Sequence, residues 1–194
     1  MQSMTSPAYH DAGHVSRGHV AIRAWLFRYR WHLFGGLVFL LLLMSFKVLI
    51  LVPLIGANIA ASWFIKKVKV SWLGFEVVLL STVFAGAAFG SVAGVIMGVL
   101  CILIFYVVSR KNLKYFFITV PLYAFIGFIS SSIPLEHFVG WGIVITLLYN
   151  VVSFLVSKAA GARTSSIILF VVTNILFNIS FFTRFGPLLV SYVS

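Results

Sequence analysis

Acidic residues are nearly missing from this sequence: Asp and Glu together number 3 among 194 residues. Asp11, Glu76 and Glu136 are scattered, whereas a metal-dependent enzyme needs several converging carboxylates or histidines. His10, His14 and His19 crowd the N-terminal region, and His32 and His137, near the ends of apolar segments, are too few for paired haem ligation across two helices. The single cysteine, Cys101, excludes an internal disulfide. Ser91 follows Gly90, but the residues around it do not form a nucleophile elbow. These gaps predict a protein that is not an enzyme, with no catalytic residues, no metal and no cofactor.

Charge of either sign is scarce. Charged residues make up 9% of the chain and hydrophobic ones 62%, against about 25% and about 45–50% in soluble domains. A water-facing globule of this composition would expose large apolar patches, so most of the outer surface must face hydrocarbon. The net charge of +11 does not indicate nucleic acid, because the basic residues sit in short clusters between long apolar runs. That distribution is the signature of membrane orientation, with the lipid bilayer as the first partner. No small-residue cleavage site closes a short apolar run near the start, so the first hydrophobic segment is expected to be retained.

Residues 1–14 read as a disordered tail. From Val20, Ile22, Trp25, Leu26 and Tyr29 share one helical face while Arg23 and Arg30 lie on another, so residues 1–32 form a basic cytoplasmic tail that could end in an interfacial helix or simply in an orienting basic flank. Residues 33–194 form the membrane domain. The apolar run Leu33 to Ile65 would be roughly 50 Å long as one helix, against a hydrocarbon core near 30 Å. Lys47, Pro53 and Gly56 make a hairpin more natural, although each arm is then short. Val70 to Ser109 is long enough to cross twice, with a turn near Ala88 to Ser91. Tyr115 to Ser130 cross again, Ser131 to His137 form a loop, Phe138 to Val156 return, and Ser165 to Phe182 close the chain before Arg184, Gly186 and Pro187. In this parse Arg17, Arg23, Arg28, Arg30, Lys66, Lys67, Lys69, Arg110, Lys111, Lys114, Lys158 and Arg163 share one side, leaving Lys47 and Arg184 on the other. The positive-inside rule therefore favours seven segments over six, with the N-terminus in the cytoplasm. The predicted class is an all-α polytopic helix bundle in the cell (inner) membrane.

Gly86, Gly90, Gly94 and Gly98 recur every four residues, so they align on one face wherever the helix is continuous. Small residues allow close backbone approach in lipid, and they can equally make room for a ligand. Glu76 is the one acid within a predicted span, about one or two turns inside the cytoplasmic end. A carboxylate at that depth costs several kcal/mol unless paired or wetted. It either pairs with Lys66, Lys67 or Lys69 at the boundary or contacts a ligand. Asn174 and Asn178 face the same way beside Thr173, and Asn150 lies in the preceding segment. These amides either hydrogen-bond between helices or line a pocket. Glu76, Asn150, Asn174 and Asn178 are thus the candidate ligand-binding set.

The stretch Phe89-Gly90-Ser91-Val92-Ala93-Gly94-Val95-Ile96-Met97-Gly98 resembles the helix-turn signature of S components, the substrate-binding membrane subunits of energy-coupling-factor vitamin transporters. Tyr115 to Ser130, with Pro121, Tyr123 and Gly127, and the Thr173-Asn174 to Asn178 run are similar to that family and to its relative, the rod-shape membrane subunit MreD. About half the chain carries the likeness. The proline and buried aspartate often found near that turn are missing, as Ser91 and Cys101 show, and Ala57 with Ala61 only echoes the alanine spacing used for docking. The resemblance implies a transport-related subunit that holds a small molecule between helices and works with a membrane partner. The alternative it implies is an MreD-like scaffold that binds other membrane proteins and no metabolite.

Overall fold

A computed structural model describes residues 46–68, 73–109 and 115–194. The predicted tail, the interfacial stretch, the first apolar arm to residue 45, Lys69 and the cluster Arg110, Lys111 and Lys114 lie outside the described residues. Six α-helices carry the described chain: α1 (Leu51–Val68), α2 (Val78–Phe89), α3 (Ser91–Ser109), α4 (Phe116–Ile129), α5 (Phe138–Ala159) and α6 (Thr164–Val193). There is no strand among the described residues.

Four stretches, Val48–Val68, Ser91–Ser109, Leu135–Ala159 and Thr164–Val193, are long and apolar enough to cross a membrane, and two apolar helices, Val78–Phe89 and Phe116–Ser132, are shorter. Large apolar side chains such as Val107, Phe117, Leu176 and Leu188 stand exposed around the outside, which is the surface expected of helices bathed in lipid. A 3-10 turn at Phe46–Ile50 leads into α1, where Pro53 sits in the first turn and its missing N–H costs little. The arm after Lys47 is therefore of full crossing length, longer than the sequence reading allowed.

The centre of the bundle is its shortest helix. Every residue of α2 from Val78 to Gly86 is buried, and α2 packs against α1, α3, α4, α5 and α6. A helix apolar all round belongs inside a bundle, and Val78, Leu79, Leu80, Val83, Phe84 and Ala85 make this one so. Its two polar residues are self-sufficient: Ser81 donates to the Val77 carbonyl at 2.9 Å and Thr82 to that of Val78 at 2.7 Å. Asn58 of α1 also donates to the Ser81 hydroxyl at 2.8 Å.

Gly90, with φ of +90°, makes the turn between α2 and α3. The turn falls inside the expected Ala88–Ser91 window, and it takes Gly90 out of the glycine ladder. An added Cβ at Gly90 would meet nothing within 4 Å, whereas the other three glycines meet α4 closely. A Cβ on Gly86 would lie 2.6 Å from the Gly127 carbonyl oxygen, and one on Gly98 would lie 2.7 Å from that of Tyr123. One on Gly94 would run into the Gly127 carbonyl and sit 2.7 Å from the Gly86 Cα. Three helices thus meet backbone to backbone through small residues, the means by which helices associate where no water drives them together.

Two further boundaries differ from the sequence reading. The last helix does not stop at Phe182 but continues through Arg184, Gly186 and Pro187 to Val193. Pro187 removes one main-chain bond, yet Gly186 lets that stretch pack on Phe138 and Val139 of α5. The segment before α2 is not helical either. Residues 73–77 form no helix, which places Glu76 outside the span of regular structure in which its position was predicted.

One end of the bundle is closed. Phe84, Phe138 and Phe182, all fully buried, pack edge-on and tilted with centroids 5.9 and 5.5 Å apart, and Gly142 makes room for the Phe182 ring. The opposite end, where α1, α3 and α5 finish and α4 and α6 begin, is hollow.

Candidate functional site

The non-helical segment 73–77 cannot satisfy its own backbone, so α6 does so for it. Thr173 accepts a hydrogen bond from the Gly74 N–H at 2.9 Å, and Asn174 donates Nδ2 to the Gly74 carbonyl at 2.9 Å. Irregular backbone at membrane depth persists only where protein or a cavity supplies such partners. Gly74 is there because nothing larger fits: an added Cβ would lie 2.6 Å from the Phe170 carbonyl oxygen and press on Asn174.

This arrangement delivers Glu76 to the middle of the bundle, 3% exposed, just before the N-terminus of α2. The positive end of that helix dipole favours a carboxylate there. Tyr123 of α4 donates its hydroxyl to Glu76 Oε1 at 2.7 Å, and Asn174 of α6 donates Nδ2 to the same oxygen at 3.1 Å. Tyr149 of α5 packs on Tyr123 with ring centroids 5.3 Å apart and lies within electrostatic reach of Glu76. Among the described residues no cation pairs with Glu76; the one ion-pair contact joins His137 to Glu136, 3.6 Å apart on the exposed loop.

Behind Glu76 the asparagines form a relay with Asn174 as its hub. Asn150 donates to Asn174 Oδ1 at 2.8 Å and Asn178 donates to it at 3.2 Å. Each amide also bonds its own helix, Asn150 to the Thr146 carbonyl and Asn178 to that of Asn174. The four predicted site residues are therefore joined in one network, although they do not all face the same space. Glu76 alone among them lines the large cavity; Asn174 reaches it only through Glu76, and Asn150 and Asn178 only through Asn174. Asn150 also borders a smaller apolar recess between α5 and α6.

In front of Glu76 lies a cavity of about 570 Å³, within the 300–1,000 Å³ typical of small-molecule sites. Its wall contains Phe105, Tyr106, Tyr115, Tyr149 and Phe170, the hydroxyl residues Ser109, Thr119, Ser153, Ser157 and Ser166, and Lys66. Tyr106 and Thr119 hydroxyls are 3.1 Å apart, and Thr119 donates to the Tyr115 carbonyl at 2.7 Å. Ser109 turns back to bond the Phe105 carbonyl. Lys66 is exposed at the end of α1, and nearby Lys158 ties the α5–α6 turn by donating to Thr164 at 2.7 Å. Hence the cavity runs from a basic, hydroxyl-bearing mouth to a carboxylate floor.

Comparison with family models, with curated proteins and with solved structures gives no match. Tyr106 and Tyr149 escaped the sequence reading, which searched for carboxylates and amides, and Tyr123 entered it only through the family resemblance. A usable signal existed, since a tyrosine within an apolar helix must find a hydroxyl partner. Asn58 and Ser62, buried one turn apart on α1, were also missed; Ser62 donates to the Asn58 carbonyl at 2.6 Å.

Proposed function

We propose that this chain is a multi-pass protein of the cell (inner) membrane whose N-terminus is cytoplasmic, and that it is a transport-related subunit binding a small molecule between its helices. It resembles S components in this, acts with a partner membrane subunit, and performs no enzymatic reaction. The observation that carries the reading is the cavity of about 570 Å³ with Glu76 at its floor. A subunit that only packs against other proteins has no need of a hollow bundle, and the small-residue face that could dock such a partner is spent inside, between α2, α3 and α4.

Seven crossings follow if the apolar arm before residue 45 spans as well. The short element α2 supports this count: twelve helical residues rise about 18 Å, and the four residues 73–76, if extended, add about 13 Å. Together they match a hydrocarbon core of about 30 Å. Discontinuous spans of this kind place substrate sites near the bilayer midplane in many transporters. The ends bearing Lys66, Lys67, Lys158 and Arg163 are then cytoplasmic.

The test is to purify the full chain from its host membrane, denature it, and identify released small molecules and co-purifying proteins by mass spectrometry. A small molecule released by wild-type protein, and lost from Ser153→Phe, in which the added ring fills the cavity, is the expected result. Protein partners without any small molecule, unchanged in Ser153→Phe, would refute it and favour an MreD-like scaffold.

A further inference from the structure

We infer that the cavity selects an organic cation, a protonated or quaternary amine carried on an apolar or aromatic body. This rests on the proposed binding role of the cavity and adds the chemical class of its ligand. Among the described residues Glu76 is the one carboxylate in the wall; Tyr123 and Asn174 donate to its Oε1, and the Tyr149 hydroxyl also lies within reach of the carboxylate, which borders the cavity. A buried carboxylate needs a compensating positive charge, because removing it from water costs far more than neutral donors return. Among the described residues no side-chain cation supplies that charge, and the N-terminus of α2 offers only a partial one. Lys66, the one basic side chain in the wall among the described residues, is exposed at the mouth while Glu76 is at the floor.

The rest of the wall suits the same ligand. Five aromatic residues surround the space in front of the carboxylate, and aromatic faces attract ammonium groups most strongly where water is excluded. Their rings also give an apolar body its contact surface, while the hydroxyls of Ser109, Ser153, Ser157 and Ser166 lie at α3, α5 and α6 positions toward the mouth. An anion at the floor would meet the charge of Glu76, and a neutral molecule could offer the carboxylate a hydrogen bond but no compensating charge. Tyr123 and Asn174 hold the carboxylate in place from behind, so that its orientation does not depend on the ligand.

The experiment uses three molecules that share one body: 2-phenylethylamine, 2-phenylethanol and phenylacetate, which differ only in a cationic, neutral or anionic end. Each is titrated by calorimetry into the purified full-length chain in lipid nanodiscs. The amine should bind about tenfold tighter than the alcohol, or more, as expected for a hydrogen bond between charged partners, and phenylacetate should bind most weakly. Glu76→Gln should remove the amine's advantage and leave the alcohol's affinity unchanged. Equal binding of amine and alcohol would overturn the proposal. Preference for phenylacetate would overturn it in favour of an anion held by Lys66. In both of those cases the cavity still binds a small molecule, so the proposed function survives; binding of none of the three removes the cation and counts against the cavity as a site. The comparison is made on wild-type protein and does not depend on Glu76→Gln folding.

Discussion

Replacing Gly94 by alanine adds one methyl group at the point where three helices meet. In an isolated helix the exchange would stabilise by about 1 kcal/mol, because glycine gives up more backbone freedom than alanine. Here the new Cβ would run into the carbonyl oxygen of Gly127 and lie 2.7 Å from the Cα of Gly86, and both obstacles are main chain. A side chain could rotate aside; a backbone must carry its helix with it. The cost therefore belongs at the upper end of the about 1–3 kcal/mol found for overpacking, which leaves a net loss of about 2 kcal/mol. Gly140 on α5 is the control, since an added Cβ there meets nothing within 4 Å, and Gly140→Ala should stabilise by up to about 1 kcal/mol. The protein contains its own reporter. Cys101 is the single thiol and is fully buried, so a thiol-reactive fluorophore lights up only as the bundle melts. Gly94→Ala melting at or above the wild-type temperature would refute the backbone contact between α3 and α4.

Tyr123→Phe removes a 2.7 Å bond to Glu76 Oε1 and should cost about 1–3 kcal/mol by the same melting assay, with a larger loss for Asn174→Leu, which strips partners from Gly74, Glu76, Asn150 and Asn178 together. Gly90→Ala should cost about 1–2 kcal/mol despite open space around it, because φ of +90° is unfavourable for an L side chain; an unchanged melting temperature would show that the turn relaxes. For orientation, cysteines placed singly at Lys67, Lys111 and Lys158 in a Cys101→Ser background should be shielded from an impermeant thiol reagent in intact cells, and Glu136→Cys, on the exposed loop, should be labelled. Labelling at Lys67 but not at Lys111 would favour six crossings over seven.

The helical class and most helix positions were legible because hydrophobicity alone sets them. The turn at Gly90 was legible too, since a glycine between two apolar runs marks where a left-handed residue is needed. Harder to read was anything decided by contacts distant in sequence. Glu76 was sought inside a helix, but Gly74 lies against Asn174, a hundred residues away, and that pairing is what permits the chain to leave helical form. The end of α6 was misplaced because Arg184 and Pro187 read locally as a stop, whereas packing of Gly186 on α5 carries the helix past them. As for the site, the sequence singled out its polar residues one by one. It could not tell that Glu76 faces an open space while Asn150, Asn174 and Asn178 stand behind it, since facing depends on which helices become neighbours.

The dependence of residues 73–77 on Thr173 and Asn174 also orders the protein's biogenesis in time. When α2 first leaves the ribosome, the helix that will hold the preceding backbone in place has not yet been translated. Until α6 arrives, Gly74 must keep its peptide groups at the lipid surface or bonded to water. The central helix of the finished bundle is therefore the one that cannot settle first. A chain truncated before Thr164 would insert its outer helices and yet remain open at the middle, a natural substrate for membrane quality-control proteases.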